Sequence, residues 1–399
     1  MRIFKKILMK FMKNYIIIIA FFLFVTSCVE NKSYKNVNNK LAKNSSIQIS
    51  KEDIHIPIDS MTYPSYSIYQ NVFVNDMSYL AGYNRDMHSI DVFDLNKKEF
   101  FKHIKLDNQG PNGIRGLNGF YIHNWDSIFV RGARKLHLMD SVGLVKHSIN
   151  LPKYEKEVNG TLTTGLGFRL YYSETRNSVF YKYVPRDVKF GSKEYFSKPF
   201  IAELNLTSHT MSLLPVRYSK YIMNNFIGYL FRPYVSFYNN IIYYCFTGES
   251  NIYSYDLKTQ TKNTYGGRSK YSKDLAQPIS RNSKFEEKSK HRLKNVQFFN
   301  VIYDPYRELF YRLHFGNLED KISEDINKAF NDKSLYLMIF NKDFELIREI
   351  ELEDHTYRPQ FYGISGEGLF LNANHEMNEN FSGDFSNFKL FKIHYSQKP

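Results

Sequence analysis

The stretch SIDVFDLN, residues 89–96, decides the fold. It joins a short apolar run to a turn built on Asp94, and a second apolar run, Phe100–Leu106, follows it. Asp and Asn suit such turns because their side chains hydrogen-bond the local backbone and tolerate left-handed φ angles. The pattern therefore predicts two antiparallel strands joined by a tight turn, the outer hairpin of a four-stranded sheet.

The same unit of strand, turn and strand returns four more times along the chain. The turn residues span 247 residues in four intervals of about 62 each. A sheet unit repeated at such a period is typical of a propeller or a solenoid. The five turn residues are Asp94, Asp140, Asn205, Asp256 and Asn341.

The length of the chain fits six such units, because 372 residues remain after a 27-residue leader. We predict an all-β, six-bladed β-propeller of four-stranded antiparallel blades, with a seven-bladed propeller or a β-sandwich array as alternatives. The sixth blade is predicted over Arg358–Tyr395, with Gly368–Asn372 as an inner strand and Phe388–His394 near its outside. Ile54–Ile58 would pair beside this blade and close the ring, which removes exposed sheet edges.

Two segments interrupt the repeat. Leu318–Asp332 has apolar residues four positions apart, which predicts one amphipathic helix inserted in the fifth blade. Gly266–Lys294 is polar and rich in Lys and Arg, which predicts a mobile surface loop. Contact of this loop with an acidic lipid or glycan is the alternative interpretation.

The N-terminal segment has the parts of a secretory signal, namely a basic start, an apolar run over Tyr15–Val25 and small residues before Cys28. The run is about half the length that a transmembrane helix needs. Its ending, VTSC, resembles the bacterial lipobox, in which the cysteine receives a diacylglycerol and becomes the first residue of the mature protein. An ordinary secretory signal would not need a cysteine at that position.

These features predict three regions. Residues 1–27 form a lipoprotein signal peptide, residues 28–46 form the lipidated cysteine with a flexible tether, and residues 47–399 form the propeller domain. The membrane is then a partner through the lipid at Cys28. The predicted location is the cell envelope, at the outer membrane or a periplasm-facing membrane.

The charge of the chain limits its partners. The formal net charge is +14, and loss of residues 1–27 removes five basic residues, which leaves +9. A basic envelope protein attracts acidic lipids or glycans, although an AT-rich genome favours the same composition. No nucleic acid is expected as a partner, since the chain has no helix-turn-helix or finger spacing. Cys245 is the one cysteine besides Cys28, so no disulfide and no thiolate metal cluster is expected.

Arginines stand just before several predicted innermost strands, which surround the central channel of a propeller. Guanidinium groups bind carboxylates or phosphates bidentately, so convergence of these side chains would make a site for an anionic ligand. Pairing of each arginine with a carboxylate of its own blade, or packing over tyrosines, is the alternative. Tyr63 has the corresponding place in the first blade, and Asn112 lies in a glycine-containing stretch that would offer main-chain N–H groups. The predicted ligand-binding residues are Arg115, Arg169, Arg232, Arg358, Tyr63 and Asn112.

Catalytic patterns are mostly absent from the sequence. His375 and Glu376 lack the second histidine of a zinc protease helix, and Gly363–Glu367 lacks the last glycine of a nucleophile elbow. No calcium loop and no phosphate-binding glycine loop occurs. No catalytic residue, cofactor or metal is therefore predicted, and whether the protein is an enzyme stays open.

The lipobox, the tether, Gly110–Gly113 and Trp125–Val130 together resemble the uncharacterised TolB-like six-bladed β-propeller lipoproteins of Bacteroides-type bacteria. The resemblance implies a propeller and a lipid anchor, and it implies no active-site residues. Our leading hypothesis is a non-catalytic binding or scaffolding lipoprotein whose channel mouth takes an anionic small molecule, glycan or peptide. The alternatives are an envelope hydrolase or lyase acting on glycans or peptides, and a module that docks an envelope protein.

Overall fold

Strands form wherever the sequence alternates apolar runs with Asn, Asp and Gly turns. The computed structural model describes residues 36–43, 45–318 and 326–397, so the predicted signal peptide and Cys28 lie outside the described residues. The strands are β1 (Lys40–Leu41), β2 (Ser45–Pro57), β3 (Tyr69–Val74), β4 (Met77–Asn84), β5 (Ser89–Asp94), β6 (Glu99–Lys105), β7 (Gly119–Asn124), β8 (Ser127–Arg131), β9 (Lys135–Met139), β10 (Val145–Asn150), β11 (Gly160–Thr163), β12 (Tyr171–Ser173), β13 (Ser178–Pro185), β14 (Ile201–Asn205), β15 (Thr210–Leu213), β16 (Pro233–Tyr238), β17 (Ile241–Phe246), β18 (Glu249–Asp256), β19 (Lys262–Tyr265), β20 (Gln297–Asp304), β21 (Leu309–Phe315), β22 (Leu335–Phe340), β23 (Glu345–Glu351), β24 (Tyr362–Ile364), β25 (Leu369–Asn372) and β26 (Phe385–Gln397).

These strands make six antiparallel sheets, which are the six blades of a β-propeller, as predicted. Blades 1, 2, 4 and 5 are β3–β6, β7–β10, β16–β19 and β20–β23, and blade 3 is β11–β15, in which β11 and β12 both pair with β13. Blade 6 is β24–β26 with β2. The first strand of each blade is innermost, and β3 contacts β7 as β16 contacts β20 across neighbouring blades.

Antiparallel pairing gives the propeller two distinct ends. The turns between first and second strands, and between third and fourth strands, share one end, which we call the turn face. The connections between blades, and those between second and third strands, share the other end, which we call the loop face.

The predicted turn residues all lie between the third and fourth strands of their blades. The Asp94 carboxylate accepts hydrogen bonds from the N–H groups of Asn96 and Lys97, each at 2.9 Å. Asn205 accepts in the same way from Thr207 and Ser208. Asp140, Asp256 and Asn341 also accept two backbone N–H groups each. The prediction of outer hairpins is confirmed, because an Asx turn depends only on local residues.

Blade 6 closes the ring with strands from both ends of the described chain. β2 pairs with β26 over thirteen residues, from Ser45 opposite Gln397 to Pro57 opposite Phe385. The predicted pairing of Ile54–Ile58 in this blade is therefore confirmed for residues 54–57. Gly368–Asn372, predicted as an inner strand, contains β25, the second strand from the channel, and β24 is the innermost strand. β24 has only three residues, too few for a recognisable alternation.

The ordered chain starts before the predicted boundary at residue 47. The Asn36 side chain is buried and donates hydrogen bonds to Ser250 Oγ at 2.5 Å and to the Asp274 carbonyl at 3.1 Å. β1 pairs in parallel with β23 at the outer edge of blade 5. The last part of the predicted flexible tether is thus fixed on the propeller by specific polar contacts.

The helices lie in the connections of the loop face. Gly266–Lys294, predicted to be a mobile loop, ends in a ten-residue helix with two acidic residues in its first turn and basic residues in its last, which suits the helix dipole. The helix predicted over Leu318–Asp332 is seen at Ile326–Asn331, and residues 319–325 lie outside the described residues. Within the described residues, no helix is both long and apolar enough to cross a bilayer. The helices are α1 (Leu151–Glu157), α2 (Lys193–Ser197), α3 (Lys220–Asn224), α4 (Phe285–Lys294) and α5 (Ile326–Asn331).

Candidate functional site

The central channel holds a cavity of about 780 Å³. This volume lies within the range of small-molecule sites. The cavity reaches the turn face, where Asn75, Asn239 and Tyr306 line it. Its walls are rich in aromatic residues, with Tyr69, Tyr121, Tyr171, Phe237, Tyr238 and Tyr362 among the lining residues.

Arg169 places its guanidinium in this aromatic channel. The guanidinium carbon lies 3.5 Å from the ring centroid of Tyr69 and 5.4 Å from that of Tyr362. The two rings meet edge to face with their centroids 5.5 Å apart. Within the described residues, no carboxylate oxygen lies within 4.0 Å of the Arg169 guanidinium. Burial opposes the charge, but it lies against the phenol groups of Tyr69 and Tyr362, which hold the pKa of Arg169 above its usual value, and it has no carboxylate partner there.

Two other buried arginines show what a structural arginine looks like in this protein. The Arg312 side chain is fully buried and donates to the carbonyls of Phe299, Ser250 and Glu249. Arg131 donates to the carbonyls of its own loop and of the next blade. Main-chain carbonyls accept hydrogen bonds from both guanidinium groups, as buried charges require. Arg312 also lies over a ring, with its guanidinium carbon 4.2 Å from the Phe298 centroid. Arg169 differs because, among the described residues, its guanidinium donates to no main-chain carbonyl and meets the phenol groups of Tyr69 and Tyr362.

The amide side chains of the channel hold neighbouring blades together. Gln70 donates to the Ile122 carbonyl at 3.1 Å and accepts from the Ile122 N–H at 2.6 Å. Asn71 bonds Ile364 of blade 6 in the same two-way manner, at 3.4 and 2.8 Å. Because both hydrogen-bonding ends of each amide are occupied, these residues are structural links between innermost strands.

A second cavity of about 720 Å³ opens on the loop face between blades 5, 6 and 1. Arg358 and Tyr63 line it, and the Arg358 Nε donates to the Asn374 carbonyl at 2.7 Å. Four Lys or Arg and four Asp or Glu side chains line this cavity, so its formal charge is balanced. Glu376 lies 3.9 Å from the Arg358 guanidinium. This cavity is therefore a poorer anion site than its arginine alone would indicate.

His375 gives the second cavity a group that can accept a proton. Its ring centroid lies 6.0 Å from that of His355. Burial and the nearby Arg358 guanidinium lower the pKa of His375, so the imidazole is neutral at pH 7. Its Nδ1 accepts the Met377 N–H at 3.2 Å, which leaves Nε2 as the atom available to a ligand.

The structure distributes the four predicted arginines. Arg169 lines the channel and Arg358 lines the second cavity, whereas Arg115 and Arg232 are exposed and line neither of these two cavities. Asn112 accepts the Val145 N–H at 3.2 Å and so ties its loop to β10. Binding of an anion by these residues stays a prediction, with Arg169 as the member that reaches the channel.

Sequence reasoning missed the aromatic wall around Arg169. Tyr69 and Tyr362 each belong to an innermost strand, at its first position, and Tyr171 likewise begins β12. A tyrosine at the start of an innermost strand was therefore an available signal. The described residues contain no group of three or more His, Cys, Asp or Glu side chains placed to hold a metal ion.

Comparison with known proteins identifies relatives of this propeller. A Bacteroides vulgatus protein of the DUF4221 family is 20% identical with a TM-score of 0.76, and the match covers 89% of this chain and 100% of that one. A Bacteroides fragilis protein, described as a candidate exported protein, is 9% identical with a TM-score of 0.52, covering 88% and 96%. These identities show the fold alone, and no curated protein matches significantly. The family model described as "Domain of unknown function (DUF4221)" matches residues 31–351, so the chain belongs to the DUF4221 family.

Proposed function

We propose that this protein is a non-catalytic binding propeller of the cell envelope, with a channel that takes an anionic small molecule, glycan or peptide. The observation that carries the proposal is the Arg169 guanidinium, which lies in the channel over Tyr69 without a carboxylate partner among the described residues. A charge removed from water is costly unless it is paired. A ligand carboxylate or phosphate would supply that pairing.

The aromatic lining supports a ligand with flat or ring-shaped apolar faces. Tyrosine and phenylalanine rings offer large contact areas at small entropic cost, and tyrosine adds a hydroxyl for hydrogen bonding. Tyr171 and Phe237 already stack with their centroids 4.2 Å apart, which makes one wall flat. The lining offers ring faces, the Arg169 guanidinium and, at the turn face, the Asp76 carboxylate. This combination favours a small acidic sugar or an aromatic carboxylate over a densely charged anion such as a polyphosphate.

The envelope location is proposed from the N-terminal sequence, in which a lipobox-like ending places the lipid on Cys28. The description of the Bacteroides fragilis relative as a candidate exported protein supports export. The resemblance to TolB-like propeller lipoproteins supports the same location. Mass spectrometry of the protein purified from membranes tests the anchor, since it must show a diacylglycerol on an N-terminal Cys28.

Calorimetric titration tests the channel. Oligomers of galacturonic acid and glucuronic acid, and an acidic tripeptide, are compared with their neutral counterparts. We expect an acidic ligand to bind with an affinity that falls as salt rises, and Arg169→Met to weaken it at least about ten-fold, since charged hydrogen bonds contribute about 1.5–3 kcal/mol. Arg134→Met, which makes the same substitution at an exposed arginine that lines neither cavity, is the matched control. Equal losses in both variants, or equal binding of the neutral ligands, would contradict the proposal.

A second candidate function is supported by the neutral His375 beside Glu376 in the loop-face cavity. Such a pair can act as general base in a hydrolase or lyase acting on glycans or peptides. Incubation of wild-type protein and His375→Gln with envelope glycans, followed by mass analysis of products, tests this candidate. Product formed by the wild type and lost in the variant would favour the enzyme. Equal traces in both would exclude His375 as its base.

A further inference from the structure

We infer that the loop face of blades 3 to 5 docks on an anionic lipid surface, so that the propeller stands on the membrane with its channel mouth pointing away. This inference rests on the lipid anchor of the proposed function. It adds a surface, an orientation and a lipid class to that anchor.

Three large aromatic side chains protrude from this face. Phe190 is 65% exposed, Tyr229 is 43% exposed and Phe285 is 75% exposed. They lie in three different connections, between β13 and β14, between β15 and β16, and between β19 and β20. All three connections belong to the loop face. Exposed aromatic rings at one end of a protein are typical of membrane or partner contact.

Direct contacts join the three connections into one surface. The ring centroids of Tyr229 and Phe285 are 6.3 Å apart. Arg281 donates to the Gly191 carbonyl, next to Phe190, and its guanidinium carbon lies 4.8 Å from the Phe226 ring centroid. We call this surface the basic aromatic face, and its members are Phe190, Tyr229, Phe285, Lys189, Arg281 and Lys284.

The charge of this surface selects an anionic partner. Residues 279–294 contain six Lys or Arg and two Glu, and residues 217–232 contain three Lys or Arg and no acid. Lys189, Lys220 and Lys284 are exposed. Aromatic side chains that enter the interface, surrounded by lysine and arginine at headgroup level, are the combination that binds anionic bilayers.

The place where the chain joins the propeller favours the membrane as this partner. Asn36 is held by Ser250, at the loop-face start of β18, and by Asp274 and Arg268, in the connection between β19 and β20. Seven residues separate Cys28 from Asn36 in the sequence, so the connecting chain can reach on the order of 30 Å. A lipid on Cys28 therefore leaves the bilayer within reach of the loop face.

The same geometry orients the channel. Asn75, Asn239 and Tyr306 line the channel cavity at the turn face, opposite the basic aromatic face. A propeller resting on the loop face presents this opening to the aqueous phase. Ligand would then enter the channel without crossing the lipid surface.

The test uses the lipidated protein purified from membranes and reconstituted with vesicles of phosphatidylcholine alone or mixed with phosphatidylglycerol. The single tryptophan, Trp125, lies between β7 and β8 at the turn face and serves as an internal control. Phe285→Trp adds a reporter on the basic aromatic face. With lipids brominated near the headgroup, we expect quenching of the added fluorescence on anionic vesicles, at least about two-fold stronger than on neutral ones, and no quenching of Trp125.

Charge reversal supplies the matched variants. Lys189→Glu with Lys284→Glu, in the Phe285→Trp protein, is expected to lose the anionic-specific quenching. Lys258→Glu with Lys342→Glu changes two exposed turn-face lysines by the same charge and is expected to retain it. Equal quenching on both vesicle types, no quenching on either, or equal loss in both double variants would overturn the inference. A fluorescence change of the reporter at position 285 on addition of a soluble polyuronate, with none on anionic vesicles, would overturn the inference in favour of an acidic glycan.

Vesicle flotation separates failure of this inference from failure of the anchor. Protein that floats with both vesicle types but shows no quenching has the anchor without the docking face. Protein that floats and is quenched only with anionic vesicles has the docking face without the anchor. Protein that floats with neither contradicts both. Ligand binding in the channel is measured separately by calorimetry, so its result bears on neither.

Discussion

Replacement of Arg169 by Met is expected to change the free energy of unfolding by no more than about 1 kcal/mol, although the side chain lies inside the propeller. The substitution loses a cation–π contact with Tyr69 at 3.5 Å, which contributes about 0.5–2 kcal/mol. It also removes the cost of holding a half-buried cation without a carboxylate partner. Exchange of a buried charged group for an apolar side chain of similar volume is often neutral or stabilising. The two effects oppose each other and are of similar size.

Arg312→Met is the matched control, because it makes the same substitution at a structural arginine. The Arg312 guanidinium donates to the carbonyls of Phe299 at 3.4 Å and Glu249 at 3.1 Å, and also to that of Ser250. Each buried carbonyl left without a donor costs about 1–3 kcal/mol. We therefore expect Arg312→Met to lower the free energy of unfolding by at least about 3 kcal/mol.

Urea unfolding measures both variants. The fluorescence of Trp125 and far-ultraviolet circular dichroism are recorded together, since coincident transitions are needed before a free energy is derived. A small change for Arg169→Met and a large one for Arg312→Met would show that Arg169 is not needed for folding. A loss of 3 kcal/mol or more for Arg169→Met would refute this reasoning and make Arg169 a structural residue.

Three further predictions use the same unfolding assay. Burial lowers the pKa of His314 below the value near 6.5 that it has in the unfolded chain. The unfolded state therefore binds more protons, and the free energy of unfolding falls as the pH drops through 6.5. His314→Gln should flatten this slope between pH 7 and 5, and an unchanged slope would contradict the prediction. Asp256→Ala removes two hydrogen bonds from its turn and should lower the free energy of unfolding by about 1 kcal/mol, whereas Asp256→Asn should change it little. Equal losses in the two variants would mean that the charge of Asp256, and not its hydrogen bonds, stabilises the turn. Gly167→Ala should lower the free energy of unfolding by at least about 2 kcal/mol, because Gly167 has a φ of +89° and an added Cβ would lie 2.6 Å from the Pro233 carbonyl oxygen. An unchanged free energy would show that this backbone can move.

The sequence predicts the propeller well because its outer hairpins are local structures. At Asp94 or Asn341, the turn residue and the N–H groups it binds lie within four positions of one another, so the pattern survives without tertiary information. The innermost strand of blade 6 is not predicted from the sequence, because β24 is three residues long and its pairing depends on the rest of the ring. Asn36 was assigned to a tether because its partners are more than 200 residues away in sequence.

The candidate site is less predictable, for a geometric reason. Arg115 and Arg169 both stand shortly before an innermost strand, yet only Arg169 lines the channel. Whether such a side chain points inward depends on how far along its connection it lies and on the tilt of the blade. Gln70 shows that a residue that lines the channel need not bind a ligand, because both ends of its amide are hydrogen-bonded to Ile122 of the neighbouring blade. Sequence position identifies the candidates, and the partners of each side chain decide among them.

The two faces of the propeller have different physical constraints, which supports a division of roles between them. The turn face is made of short turns, several built on Asp or Asn, and residues of these turns line the channel cavity. The loop face carries the long connections, the helices and the basic aromatic face, and Asn36 joins the propeller there. A chain anchored at Cys28 that bound its ligand through the loop face would have to admit the ligand between itself and the bilayer. Entry through the turn face avoids that conflict, so binding in the channel and docking on the membrane are compatible in one molecule.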